Sequence, residues 1–110
     1  MSNIQNTDIR RLAEIFNALS NPHRLSIFIR LAYLYTTRET DGTAFDQVCE
    51  CVGVLGKDLG IALPTVSHHI KELHRAGLIK MTRRGNTVEC SVDLETLHTL
   101  AEFFKEPTPV

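Results

Sequence analysis

The sequence predicts a mainly α-helical domain carrying a small β-hairpin, and three observations predict it. Apolar residues recur at helical spacing in successive stretches; two strand-like runs flank Gly85 and Asn86 near the end; and Pro22, Pro64 and Gly77 punctuate the chain into short elements. With 110 residues, 43% apolar and 23% charged, the chain suits one domain over residues 1–110 with a modest core. Residues 1–6 and 106–110, the latter with two prolines, are expected to be frayed tails.

From Thr7 to Leu19, the residues Leu12, Ile15, Phe16 and Leu19 form a helical stripe. Thr7 or Asn6 can serve as N-cap, and Asp8 lies in the first turn, where the helix dipole favours an acid. The break SNPHR follows, with Asn21 as N-cap and Pro22 as the first residue of a second helix reaching about Tyr35. Its expected buried face is Leu25, Phe28, Ile29, Ala32 and Tyr35. Residues 36–43, TTRETDGT, are polar and contain Gly42, so they read as a loop. In AFDQVCECV, Phe45, Gln47, Cys49 and Cys51 alternate with Asp46, Val48, Glu50 and Val52, which fits a short strand, although the same residues could begin a helix.

Leu55–Leu59 reads as a short helix, and Gly60, Ile61 and Ala62 turn the chain into LPTVSHHIKELHRAGLI, the best-defined helix of the sequence. Val66, Ile70 and Leu73 recur at i, i+4 and i+7 and share one face, while Thr65, His68, Lys71 and Arg75 project the other way. Pro64 suits the first turn and Gly77 a left-handed C-terminal cap. Helix, Gly-containing turn, helix is the layout of a helix-turn-helix. Beyond it, LIKMTR and TVECSVD make a hairpin across Arg84, Gly85 and Asn86, with Val88, Cys90 and Val92 on one face. A final helix from Asp93 to about Lys105 carries Leu94, Leu97, Leu100, Ala101 and Phe104, a stripe with no core left to cover in so small a domain.

The net charge of −1 does not mark a nucleic-acid binder, but its distribution is uneven. Between His68 and Arg84 lie five basic residues and one acidic residue, a local +4 against −5 for the rest of the chain. The basic end coincides with a helix of the size that enters the major groove of B-form DNA. No apolar run approaches the roughly 18 to 20 residues needed to cross a bilayer. The N-terminus lacks the apolar core of a signal peptide, so a cytoplasmic location and no membrane partner are expected.

The order of helices, short strand, helix pair, hairpin and last helix is that of a winged helix-turn-helix, and the sequence resembles the ArsR/SmtB family of metalloregulatory repressors. The resemblance covers nearly the whole chain and rests on LSNPHRLSIF, on PTVSHHIKELHRAGLI and on the wing RRGNTVECSV. It implies a homodimer that binds double-stranded operator DNA and lets go when an inducer binds. Mechanically, with the apolar seam buried, Thr65, Ser67, His68 and Lys71 face base edges and phosphates, with Arg75 on the same basic ridge. Arg83 and Arg84 at the hairpin tip reach the neighbouring backbone or minor groove. His68 lies opposite the seam and is assigned to DNA; His69 lies beside it and is assigned to packing. One such domain offers few phosphate contacts, so a dimer through the first and last helices is expected.

Three cysteines without a secretion signal argue for reduced thiols rather than a disulfide scaffold. Cys49 and Cys51 can chelate a soft ion only from an extended backbone, because positions i and i+2 lie about 200° apart on a helix. One branch of the resembled family carries Cys-x-Cys-x-x-Cys before its recognition motif and senses trivalent arsenic or antimony through three thiolates. The resemblance therefore implies arsenite or antimonite as inducer, with another thiophilic metal ion as the alternative and no permanently bound cofactor. This sequence departs from that pattern: Val54 stands where the third cysteine would be, and the distance to Pro64 is about two residues longer than the pattern leads one to expect. A third thiolate must come from Cys90, the partner chain or a small thiol. Cys90 also reads as a small buried hydrophobe. Another branch senses zinc on its last helix, but His98 and Glu102 alone do not make that site.

Three rival functions stand beside this reading. A thiol-based redox-sensing repressor uses the same residues. A winged-helix protein-interaction module would keep the fold without binding DNA. An enzyme is excluded by the lack of a glycine-rich phosphate loop, a nucleophile elbow, paired carboxylates or a Cys-His-Asn arrangement.

Overall fold

The computed structural model describes residues 6–40 and 50–106, with side chains described over 9–35 and 52–106. Five helices and a three-stranded sheet follow in the order α1 (Asn6–Leu19), α2 (Pro22–Thr40), β1 (Glu50–Cys51), α3 (Val52–Leu59), α4 (Leu63–Arg75), β2 (Ile79–Arg84), β3 (Thr87–Val92) and α5 (Leu94–Lys105). The expected helices, helix-turn-helix and hairpin are all present. Asn21 caps α2, its Oδ1 accepting from the backbone N–H of His23 at 2.9 Å and of Arg24 at 3.2 Å. Asp93 caps α5 in the same way, accepting from Thr96 N–H at 3.1 Å.

The core lies where the helices meet the hairpin. Ile15 of α1, Ile27 and Leu31 of α2, Leu55 of α3, Val66, Ile70 and Leu73 of α4, and Leu78, Cys90 and Val92 beside or within the hairpin are all almost fully buried. Each large aliphatic chain among them contributes about 1.5–3 kcal/mol of burial free energy. Leu100 of α5 is buried and Leu94 and Leu97 pack against the same cluster, so part of the last helix does cover core. The remainder of its stripe stays out, with Phe104 66% exposed.

The sheet order is β1-β3-β2, both pairings antiparallel. β3 is therefore the central strand. It pairs with β2 from Ile79↔Val92 to Arg84↔Thr87, and with β1 through Glu50↔Cys90 and Cys51↔Glu89.

Four expectations are corrected. The buried face of α2 is Ile27, Phe28 and Leu31, with Leu34 and Tyr35 packed on the core, whereas Leu25 is 39% and Ile29 56% exposed. The helix is apolar on nearly every face, so its spacing admits two buried registers, and packing selects the other one. α2 also runs on to Thr40 rather than stopping near Tyr35, because nothing in TTRET breaks a helix before Gly42. α3 begins at Val52, three residues before Leu55, with Val52, Leu55 and Gly56 as its buried side. Asn6 opens α1 instead of belonging to a tail. The strand expected around Cys49 and Cys51 survives as the two residues of β1; Phe45, Gln47 and Cys49 lie outside the described residues, as do 1–5 and 107–110.

Candidate nucleic-acid interface

The amphipathic split of α4 is complete. Val66, Ile70 and Leu73 are buried, while Thr65, His68, Lys71 and Arg75 are exposed and Ser67 is half-buried. Pro64 sits in the first turn, after Ala62 in the N-cap position. The far end is closed by Gly77 at φ +78°, with Leu78 N–H donating to Leu73 C=O at 3.0 Å and Gly77 N–H to His74 C=O at 3.0 Å. This paired closure satisfies carbonyls that the helix end would otherwise leave open.

Side chains from two other helices grip the same turn. The Arg11 guanidinium of α1 donates to the Ala76 carbonyl at 2.9 Å. Thr96 of α5, itself buried, donates its hydroxyl to the Gly77 carbonyl at 2.7 Å. Asp93 N–H donates to Leu78 C=O at 2.9 Å. The orientation of the reading helix is thus set from α1 and α5. Sequence reasoning missed Arg11, and no local pattern marks it, because its partners lie 65 and 85 positions away.

At the wing, Arg83 and Arg84 are both exposed but project to opposite faces of the hairpin. Arg83 pairs in register with Val88 on the core side, whereas Arg84 lies on the outer face and forms an ion pair with Glu89. A phosphate reaching Arg84 must compete with or share that carboxylate. On α4, Arg75 makes a looser contact with Glu72, at 3.5 Å.

His69 is buried, off the exposed ridge of Thr65, His68, Lys71 and Arg75, as its assignment to packing requires, with its Nδ1 lacking a hydrogen-bond partner. Its ring lies between those of His23 at 5.7 Å and His68 at 5.6 Å. Burial first, then the positive fields of Arg24, His68 and His23, hold its imidazole below the ordinary histidine range.

Cys90 is fully buried at the centre of the sheet. Register places it opposite Glu50, one position from the Cys51 pairing with Glu89, so its strand runs alongside the thiol segment. Nothing in the sequence indicated that proximity. Cys49 and the side chain of Cys51 lie outside the described residues. Among the described residues no group of three or more His, Cys, Asp or Glu is placed to hold a metal ion. His98 and Glu102 are exposed on α5. Among the described residues no helix is long and apolar enough to cross a membrane.

A second exposed feature lies across α1 and α5. Phe16 contacts Phe103 and Phe104 with ring centroids 5.8 and 5.9 Å apart, and the two α5 rings are 5.3 Å apart. Phe16 and Phe104 remain 37% and 66% exposed.

Residues 19–82 match the family described as helix-turn-helix domain. Among curated proteins, an uncharacterized HTH-type transcriptional regulator, YbzH of Bacillus subtilis (strain 168), is 33% identical over 99 residues, spanning 84% of this chain and 93% of the relative. Among solved structures, an ArsR-like transcriptional regulator from Rhodococcus sp. RHA1 superposes with a TM-score of 0.66 at 20% identity, covering 90% of this chain and 80% of that one. The homodimeric winged helix-turn-helix DNA-binding domain of a possible ArsR-family regulator from Mycobacterium bovis superposes with a TM-score of 0.64 at 20% identity, covering 96% and 92%. Family match and curated relative agree with the amphipathic α4 and its basic wing, and the chain belongs to the helix-turn-helix transcriptional regulators, with the winged fold that the ArsR-family structures share.

Proposed function

We propose that this chain is a dimeric repressor that reads operator DNA with α4, steadies itself with the wing, and releases DNA when a thiophilic metalloid or metal binds its cysteine thiolates. One observation carries the DNA part: the face of α4 bearing Thr65, His68, Lys71 and Arg75 is exposed while its opposite face is sealed into the core. Lys71, Arg83 and Arg84 meet phosphates, and Thr65, Ser67 and His68 meet base edges. Dimerisation through α1 and α5 is supported by the Phe16, Phe103 and Phe104 cluster, of which Phe16 and Phe104 are exposed, and by the homodimeric fold relative from Mycobacterium bovis. The inducer part rests on the Cys49-x-Cys51 pair and on the family resemblance, which favour trivalent arsenic or antimony. Cys90 is the candidate third thiolate, and its full burial means that it joins the pair only if the β1 edge moves.

The test is the affinity of the reduced protein for duplex DNA from its own upstream region as a function of salt. Affinity should fall steeply with salt, and the Lys71→Ala, Arg83→Ala, Arg84→Ala variant should flatten the slope by about 0.9 per lost phosphate contact. Absence of salt-dependent binding would overturn the repressor reading. In a second arm the Cys49→Ser, Cys51→Ser protein should bind DNA normally and ignore arsenite and antimonite. If it still releases DNA as the unaltered protein does, the thiolate reading fails and the DNA reading stands.

A further inference from the structure

Beside the recognition helix lies a convergence of basic side chains of which only His68 is among the DNA contacts named so far. His23 and Arg24 stand in the first turn of α2 and His68 on α4, with the buried His69 ring 5.7 and 5.6 Å from the exposed imidazoles of His23 and His68. Arg24 is anchored, its Nε donating to the Ala18 carbonyl at the end of α1 at 2.6 Å.

The charges around this cluster share one sign. Arg24 and His23 from α2 and His68 from α4 all act on His69 in the same direction. Of the acids on the packed elements, Asp58 of α3 is held by Arg30 at 2.9 Å and Glu72 of α4 faces Arg75. Lys57 of α3 and Lys71 of α4 add further positive charge to those elements. Burial and the neighbouring positive charges disfavour the charged form of His69, while His23 and His68 are exposed. An anion seated there would meet the Arg24 guanidinium and the hydrogen-bond donors of two exposed imidazoles. His68 already faces the DNA, so the anion at hand is the phosphodiester backbone.

We propose that His23, Arg24 and His68 form a second, proton-linked phosphate clamp beside the recognition helix, at which DNA backbone binding is accompanied by proton uptake. The inference rests on the DNA-binding reading and adds to it a site on α2 and a pH dependence. Phosphate approach stabilises the imidazolium forms and makes each a charge-assisted donor, so affinity rises as pH falls through the histidine range. Arg24 supplies charge that does not titrate there. His69 acts by position, spacing the two flanking rings while staying neutral.

The experiment measures binding of the reduced full-length protein to duplex DNA between about pH 6 and about pH 8.5, spanning the ordinary histidine value. Salt is fixed, far-ultraviolet circular dichroism reports the fold at each pH, and calorimetry in two buffers of different ionisation enthalpy reads proton uptake. Binding should tighten about three- to tenfold at the acid end, with net proton uptake. His23→Gln should lose much of both effects. His23→Arg, whose charge is constant, should bind tightly at both ends with a flattened profile. Salt-dependent but pH-independent binding by the unaltered protein would overturn the clamp, as would a His23→Gln variant with the full pH response. Absence of salt-dependent binding at every pH would instead overturn the DNA reading on which the clamp stands.

Discussion

Arg11 of α1 and Ala76 at the end of α4 are joined by a guanidinium-to-carbonyl hydrogen bond of 2.9 Å, so the exit of the reading helix is held by the N-terminal helix. Thr96 completes the grip from α5. Arg11→Ala should lower stability by about 1 kcal/mol, below the usual range for charged hydrogen bonds because Arg11 is exposed. The denaturant midpoint reports this. DNA affinity should fall while the salt slope stays constant, because Arg11 orients α4 and touches no phosphate. A reduced slope would place Arg11 on the DNA instead.

Gly77 and Gly85 both adopt positive φ, +78° and +62°, but in different surroundings. A Cβ on Gly77 would run into the Arg11 guanidinium, whereas one on Gly85 would meet nothing within 4 Å. Gly85→Ala should cost about 1 kcal/mol of left-handed strain, and Gly77→Ala about 1 kcal/mol more. In a double-mutant cycle, Arg11→Ala should relieve part of the Gly77→Ala cost. Strict additivity would show that the two residues do not meet.

Ile27 is fully buried and Ile29, two residues on, is 56% exposed. Ile27→Ala should cost about 2–4 kcal/mol and Ile29→Ala under about 1 kcal/mol, read from chemical denaturation. Equal effects would mean that α2 is rotated from the register described.

That contrast shows where the sequence was legible. After Leu63 and Pro64 at its start, Val66, Ile70 and Leu73 are the apolar residues of α4, so one spacing fits and the helix is readable from letters. In α2, apolar residues stand at 25, 27, 28, 29, 31, 32, 33, 34 and 35, and periodicity cannot choose a face. The site divides the same way. The ridge of Thr65, His68, Lys71 and Arg75 is a matter of spacing within one helix and could be read directly. The Arg11 grip, the Glu89 partner of Arg84, the stacking of His23 on His69 and the approach of Cys90 to β1 depend on contacts between distant segments, which no window of sequence contains.

His69 predicts a pH dependence of stability opposite in sign to that of DNA binding. Burial, then Arg24, His68 and His23, lower its proton affinity in the folded chain. The unfolded chain therefore binds more protons, and stability rises with pH across this interval. The contribution is present above the ordinary histidine value of about 6.5 and is lost as pH falls toward the lowered folded value. Urea midpoints should decline between about pH 7 and about pH 5, and His69→Phe should remove part of that decline. An identical decline in the variant would assign the effect to other groups.

β3 is flanked by the wing strand on one side and by the strand ending at Cys51 on the other. The three behave as slats hung on one shared rail. The route along the sheet from Cys51 to the hairpin runs through β3 and its ladder with Ile79 to Arg84, and does not include α4. The hairpin is therefore tied to the segment ending at Cys51 along the sheet itself, apart from the apolar seam of α4.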